Sequence, residues 1–540
     1  MQKRAGVLIA AGALVAGAVT AAPSAAEPAA AAGQERGATL AWQACATKQY
    51  PRLQCATVRA PLDHADPDGA RVTLALSRIP HTAKTFQGPL LVNPGGPGAS
   101  GRSMAGFVAA SLPARVAAQY DVIGFDPRGV GASRPALDCK PGYFAPVRPD
   151  SVPRDQRDER VNLARAASFA RACGERHGSL LAHMGTVDAA RDLEVIRRAL
   201  GAERINYFGY SYGTYLGTVY AKLFPQRVRR MVLDSVVDPR GVWYRLNLAQ
   251  DVAFDARHKA FMAWVAKHHG TYRLGTDPAK VEARWYAMRE ALRRKPAGRK
   301  VGPAELEDTF LPGGYFNGFW PMLAGAFSAY ANDKDAEPLV AAHRTLAASD
   351  ASDDNSYSVY TAVQCRDARW PRDWGVWHRD NWSVYGKAPF STWNNAWYNA
   401  PCAFWPVPGG EPMAVTNDAL PPVLLFQATE DAATPYEGGV AVRRALRGSR
   451  LVVERGGGNH AVTLGGNTCL DRHLVRYLEA GALPPAAGTG AAADATCAAL
   501  PDPLPDDTAR AAGTPKAPGS AGRTGGAVLH GLLGHGGHRA

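Results

Sequence analysis

The chain has no run of five or more basic residues, although lysine and arginine exceed aspartate and glutamate by 13. Nucleic-acid binding needs such clustering, so no nucleic-acid partner is expected. No Cys-x-x-Cys occurs. Cys173 with His177, and Cys469 with His473, are spaced like half of a zinc site with nothing to complete them, so no metal is expected. Beyond the N-terminus no stretch approaches the roughly 18 uninterrupted apolar residues that a membrane helix requires. Charge is not abundant either. Charged residues are 20% of the chain and hydrophobic residues 46%, a balance that excludes wholesale disorder. The 540 residues suit one large α/β domain with an insertion.

What is present begins with Lys3 and Arg4, followed by an uncharged Ala/Gly/Val/Leu-rich stretch from Ala5 to Ala22. Small residues at Thr20–Ala22 or Ser24–Ala26 offer an exit site, so residues 1–26 read as a cleaved signal peptide. As an anchor the stretch is barely long enough, rich in alanine and without a positive flank after it. A secreted, extracellular monomer without membrane anchor is expected, with cell-wall association left open. The cysteines are Cys45, Cys55, Cys139, Cys173, Cys365, Cys402, Cys469 and Cys497. An even number in an exported chain reads as disulfides, and the simplest connectivity joins neighbours: 45–55, 139–173, 365–402 and 469–497.

Short apolar runs end in glycine-rich or acidic turns: Gly88–Asn93, Tyr120–Phe125, Ile205–Phe208, Met231–Leu233, Val423–Phe426 and Leu451–Val453. They read as strands buried on both faces of a mostly parallel sheet. Helices separate them. Thr186–Leu200 has apolar residues at helical spacing, Thr186 as candidate N-cap and Gly201 as stop. Functional residues on such a sheet sit in loops at the carboxyl ends of strands.

The long interval between Leu233 and Val423 differs in character. It holds helical stretches (Phe254–His269, Pro278–Arg294), and seven of the twelve tryptophans fall between Trp370 and Trp405. An insertion of this length is a cap rather than a loop. Its tryptophans read first as the cap's own core, and alternatively as lining a cleft. The expected organisation is a signal peptide at 1–26, a first sheet segment at 40–238, a mainly helical cap at 239–415 and a second sheet segment at 416–500. A disordered tail is expected at 501–540, with His530, His535 and His538 solvated.

Gly209-Tyr210-Ser211-Tyr212-Gly213 is a Gly-x-Ser-x-Gly set between a strand and an apparent helix, Thr214–Leu223. That context makes Ser211 a candidate nucleophile on a tight turn. A serine hydroxyl needs a base and an orienting acid, which on such a sheet follow in the order serine, acid, histidine. Asp431 falls just past the strand Val423–Gln427, and His460 follows a glycine-rich turn, so Ser211, Asp431 and His460 are the expected triad. Asp234, at a strand end, and Glu430 compete for the acid's role; Thr434 and Pro435 favour Asp431 by turning its loop. Asp126 and Asp238 read as turn-formers. Backbone N–H groups of Gly96 and Tyr212 are the expected oxyanion donors. Gly96–Gly101 also fits Gly-x-Gly-x-x-Gly. Pro97 removes an N–H that a pyrophosphate would use, and no cofactor is expected.

With these residues in place, the chain resembles the α/β-hydrolase peptidases related to prolyl iminopeptidase, most of all the secreted tripeptidyl aminopeptidases of actinobacteria. The likeness rests on Gly95–Gly98, Asp126–Ser133, Gly209–Gly217, Asp431 with Thr434-Pro435, and Gly458-Asn459-His460. Prolyl iminopeptidases typically carry His before Gly-Gly-Pro-Gly; here Asn93-Pro94 precedes it, which points toward the tripeptidyl branch. The resemblance implies an α/β-hydrolase fold, a mostly parallel sheet with helices on both faces and a large inserted cap. It also implies a cleft that admits the unblocked N-terminus of a peptide or protein and releases a short peptide. Such an enzyme must hold the substrate's ammonium, and Asp367, beside Cys365, is the candidate acid. Two rivals are a secreted carboxylesterase using the same triad and a non-catalytic surface-binding protein using the tryptophans.

Overall fold

The apolar runs form the centre of one sheet because they can be buried from both sides. Every residue of Pro89–Asn93, Ile205–Tyr210 and Leu424–Ala428 is buried. The computed structural model describes residues 40–488 and 490–505; the signal-peptide reading and the tail from 506 onward lie outside them.

The strands, in chain order, are β1 (Gln43–Ala44), β2 (Gln54–Pro61), β3 (Arg71–Ile79), β4 (Pro89–Asn93) and β5 (Asp121–Asp126). There follow β6 (Ile205–Tyr210), β7 (Val228–Asp234), β8 (Leu424–Ala428), β9 (Arg450–Arg455) and β10 (Ala495–Ala498). Their spatial order is β1-β2-β3-β5-β4-β6-β7-β8-β9-β10. Pairing is antiparallel from β1 through β3 to β5 and parallel from there to β10. Alternate residues of the central strands serve opposite faces. Leu91, Tyr207, Leu233 and Leu425 pack toward helices Thr186–Ala199 and Tyr212–Leu223. Leu90, Val92, Phe208, Val232 and Phe426 pack toward helices Arg102–Ser111 and Thr468–Ala480.

Between β7 and β8 the chain is helical and builds a core of its own around Trp285, Trp320 and Phe310. Helix Pro278–Arg294 spans the expected residues, with Pro278 in its first turn and the Asp277 side chain accepting from Ala279 N–H. The Trp-rich stretch is core, but not a core of the insertion's own. Trp370, Trp377 and Trp405 join the core on one sheet face, while Trp393 and Trp397 pack in a small cluster with Ala166.

The four disulfides join Cys45–Cys55, Cys139–Cys173, Cys365–Cys402 and Cys469–Cys497. Cys469, His473 and Cys497 lie together, but the two sulfurs are bonded to each other. Among the described residues no helix is long and apolar enough to cross a membrane.

Two local expectations are corrected. The N-cap of helix Thr186–Ala199 is Gly185, not Thr186, because a carboxylate from another helix satisfies the first turn, as described below. Pro501–Pro505 does not trail away with the tail. Trp264 Nε1 donates to Pro503 O at 3.0 Å and Asn317 Nδ2 to Asp502 Oδ1 at 3.0 Å, holding the segment against the insertion.

Candidate active site

Four adjacent parallel strands, β6 to β9, end on one edge of the sheet, and the expected chemical groups follow three of them. Ser211 comes directly after β6, with φ 54° and ψ −128°, a conformation that costs about 1–3 kcal/mol for a non-glycine residue. Its backbone is pinned by Ser211 N–H donating to Asp234 O at 3.0 Å. The turn leaves no room at Gly209, where a Cβ would stand 2.4 Å from Gly213 O. That is the physical reason for a glycine at this position of the motif.

Asp431 follows β8 and is 2% exposed; His460 follows β9 and is 3% exposed. The carboxylate is fixed by its own loop. Ala433 N–H and Thr434 N–H donate to Oδ1 at 2.9 and 3.0 Å, and Thr434 Oγ1 donates to Oδ2 at 2.9 Å. His460 Nδ1 lies 3.0 and 2.9 Å from the two carboxylate oxygens. Nδ1 therefore carries the proton toward Asp431, which leaves Nε2 as an acceptor. Nε2 is buried and has no hydrogen-bond partner among the described residues; no hydrogen bond joins it to Ser211 Oγ. Unliganded hydrolytic sites commonly show a loose serine–histidine pair that tightens around substrate.

The competing acids are placed elsewhere. Asp234, at the end of β7, accepts from Val462 N–H at 3.1 Å and Thr463 N–H at 2.8 Å, and from the Thr463 hydroxyl. Ser235 Oγ accepts from Ala461 N–H at 2.7 Å. Asp234 and Ser235 thus anchor the loop that carries His460 rather than the imidazole itself. Complete burial pushes the Asp234 carboxyl up to about 6, against the hydrogen bonds from Thr463 and Val462. Ser235 and Ala461 join Ser211 in the left-handed region, at φ 58°, 64° and 54° respectively. Glu430 faces outward to Arg257, 3.2 Å away.

A cavity opens over Ser211. Gly96 and Tyr212 line it with the serine. Among the described residues neither of their N–H groups donates to a protein acceptor, whereas Gly95 N–H is taken by Asn93 Oδ1 at 3.0 Å. The far wall mixes Trp243, Phe254 and Tyr315 with the amides Asn247, Gln250, Gln364 and Asn395, and no carboxylate lines it. Asp251 stands behind the amides, accepting from Asn395 Nδ2 at 2.8 Å.

Asp367, the acid expected to hold a substrate ammonium, is not part of this wall. Its Oδ1 accepts from Thr186 N–H at 2.6 Å, and its Oδ2 accepts from Thr186 Oγ1 at 2.6 Å and Trp243 Nε1 at 3.2 Å. It caps helix Thr186–Ala199 from outside, where a negative charge meets the helix dipole. Burial pushes its carboxyl up to about 6. Sequence reasoning missed Asp251 and the amide wall. They lie on helices Tyr244–Lys267, Ala351–Asp367 and Thr392–Asn399, whose largely buried faces carry no motif.

The sequence pattern of the family described as alpha/beta hydrolase fold matches residues 88–465. The chain belongs to the α/β-hydrolase family. It is an enzyme, a serine hydrolase of the tripeptidyl aminopeptidase-like kind. Tripeptidyl aminopeptidase of Streptomyces coelicolor is 45% identical over 88% of this chain and 89% of that protein. Serine protease Hip1 of Mycobacterium tuberculosis is 34% identical over 80% of this chain and 86% of that protein. A Mycobacterium tuberculosis protein named carboxylesterase B is 34% identical over 84% of this chain and 91% of that protein.

Proposed function

We propose that this α/β-hydrolase is a secreted serine exopeptidase that removes short peptides, tripeptides foremost, from unblocked N-termini through an acyl-enzyme. One observation carries the chemistry: a buried imidazole oriented by Asp431, with its free nitrogen unpaired, on the same sheet edge as a serine held in a strained turn at the base of a cavity. Ser211 Oγ attacks the scissile carbonyl while His460 Nε2 takes its proton. Gly96 and Tyr212 N–H groups receive the oxyanion, and His460 returns the proton to the leaving amine. Water then repeats the sequence to release the acyl peptide. Asp431 stays ionised, keeping the tautomer and stabilising the imidazolium. The helical insertion acts as the cap of this cleft. Identity to the Streptomyces tripeptidyl aminopeptidase across most of both chains supports the peptide substrate.

The cavity's lack of a lining carboxylate favours a second reading, a carboxylesterase using the same three residues. The test compares a free tripeptidyl chromogenic substrate with its N-acetylated form and with short acyl esters. The exopeptidase cleaves the free peptide and loses the blocked one; equal turnover of both, with faster ester cleavage, would establish the esterase. Ser211→Ala should lower kcat by about 10⁶ on any of them.

A further inference from the structure

Helix Tyr244–Lys267 of the insertion sends one arginine to both loops that carry the acid and the base. Arg257 Nη1 lies 3.2 Å from Glu430 Oε2, and Glu430 is the chain neighbour of Asp431. The same guanidinium fills the space that a side chain at position 458 would take. A Cβ built on Gly458 would stand 2.1 Å from Arg257 Cζ, two residues before His460. The Trp320 ring supports it from the insertion, 5.1 Å from Cζ to the centroid.

The arginine is imperfectly partnered here. The side chain is 7% exposed, while its carboxylate partner Glu430 is 53% exposed, and Arg257 Nε is buried without a hydrogen-bond partner among the described residues. Burial lowers the affinity of the guanidinium for its proton. A buried ion that is incompletely hydrogen-bonded costs more than an apolar side chain of similar volume. Departures of this kind from the packing rules gather at functional sites. Arg257 does not line the cavity; it contacts the loops, and its charge also acts on Asp431. Three more contacts join the insertion to those loops. Gln250 Nε2 donates to Ala433 O at 2.6 Å, His460 N–H to Tyr315 O at 2.8 Å, and Asn317 N–H to Asn459 Oδ1 at 2.9 Å.

We infer that Arg257 is a positioning residue: by gripping Glu430 and Gly458 together, it makes the alignment of Asp431 with His460 depend on the insertion being seated. The inference rests on the reading of Asp431 and His460 as acid and base. It assigns the insertion a part in catalysis beyond covering the cleft.

The experiment measures kcat and KM per fluorophosphonate-titrated active site, with thermal midpoints, for Arg257→Met, Arg257→Lys and Glu430→Gln, using His460→Ala, assayed per mole of folded protein, as control. For Arg257→Met, kcat should fall by about tenfold to a hundredfold, the cost of a small misplacement of a catalytic group. KM should stay within about twofold, because no substrate contact is lost. The thermal midpoint should hold or rise, since a poorly partnered cation has been replaced by an apolar chain. Arg257→Lys should recover part of kcat. An unchanged kcat per active site overturns the inference, whether or not the midpoint falls. If the Arg257 variants do not fold, Glu430→Gln, at a half-exposed position, carries the test. A severalfold fall in its kcat supports the clamp and an unchanged value overturns it. An active His460→Ala would instead sink the triad itself, and a dead one beside an unaffected Arg257→Met would sink the arginine's role alone.

Discussion

Gly95 lies against Ser211 so closely that a Cβ on the glycine would stand 2.7 Å from the serine's Cβ and 2.8 Å from Tyr210 O. Its φ of 107° is one that only glycine adopts without strain. The loop after β4 and the turn after β6 therefore touch backbone to backbone, which brings Gly96 to the wall of the serine's cavity. Gly95→Ala should force these two segments apart. We expect kcat to fall by about a hundredfold or more on a tripeptidyl substrate. Backbone strain should add a loss of about 1–3 kcal/mol in denaturant unfolding. Wild-type turnover in this variant would show that the loop plays no part in holding the oxyanion.

Asp431→Asn preserves the shape of the acid and removes its charge. The amide can present an N–H to His460 Nδ1, which favours the tautomer with the proton on the wrong nitrogen. A drop of about 10⁴ in kcat with little change in KM is expected. Steady-state kinetics on folded protein decides it, and a loss of less than tenfold would return Asp234 to consideration.

Burial raises several carboxyls, among them Asp234 to about 6, Asp367 to about 6 and Glu454 to about 7. In the unfolded chain each releases its proton near the ordinary value of about 4. Between about pH 4 and pH 7 the folded state therefore keeps protons that the unfolded state has lost. Stability contributed by these groups is full at the acid end of this window and is lost as pH rises through it. Asp367→Asn should flatten the fall in thermal midpoint between pH 4 and 6 by about one proton's worth of slope. A difference between variant and parent that does not change with pH would refute the assignment.

Cys365–Cys402 closes a loop with a sequence separation of 37, enclosing much of the Trp-rich stretch. The chain-entropy estimate for such a loop is about 4 kcal/mol. Replacing both cysteines with serine should lower unfolding stability by up to that amount. It should also raise KM, because Tyr360 and Gln364 of the cavity wall lie on the helix that Cys365 anchors. Chemical denaturation alongside kinetics separates the two effects.

Much of the site was legible in the chain because its signals are local. A glycine-flanked serine between a buried run and a helix states its own turn geometry. Asp431 with Thr434, and His460 after its glycines, are likewise short segments at strand ends. Neighbouring cysteines pair because short loops bring them together, and the pairs Cys139–Cys173 and Cys469–Cys497 follow that logic.

Asp367 shows where such reading stops. Its position beside a disulfide said nothing of Thr186, which stands 181 residues away in the chain, yet that contact absorbs its charge. The same holds for the amides over Ser211 and for Arg257 on the two loops. By itself the sequence determined which segments become strands and which turns carry the candidate serine, acid and histidine, since φ/ψ preference and apolar periodicity act over a few residues. Only the tertiary structure decided which acid meets the imidazole, which is spent capping a helix, and what walls the cavity. Those outcomes depend on packing between helices far apart in the chain, where burial and charge pairing, not local propensity, select the partner.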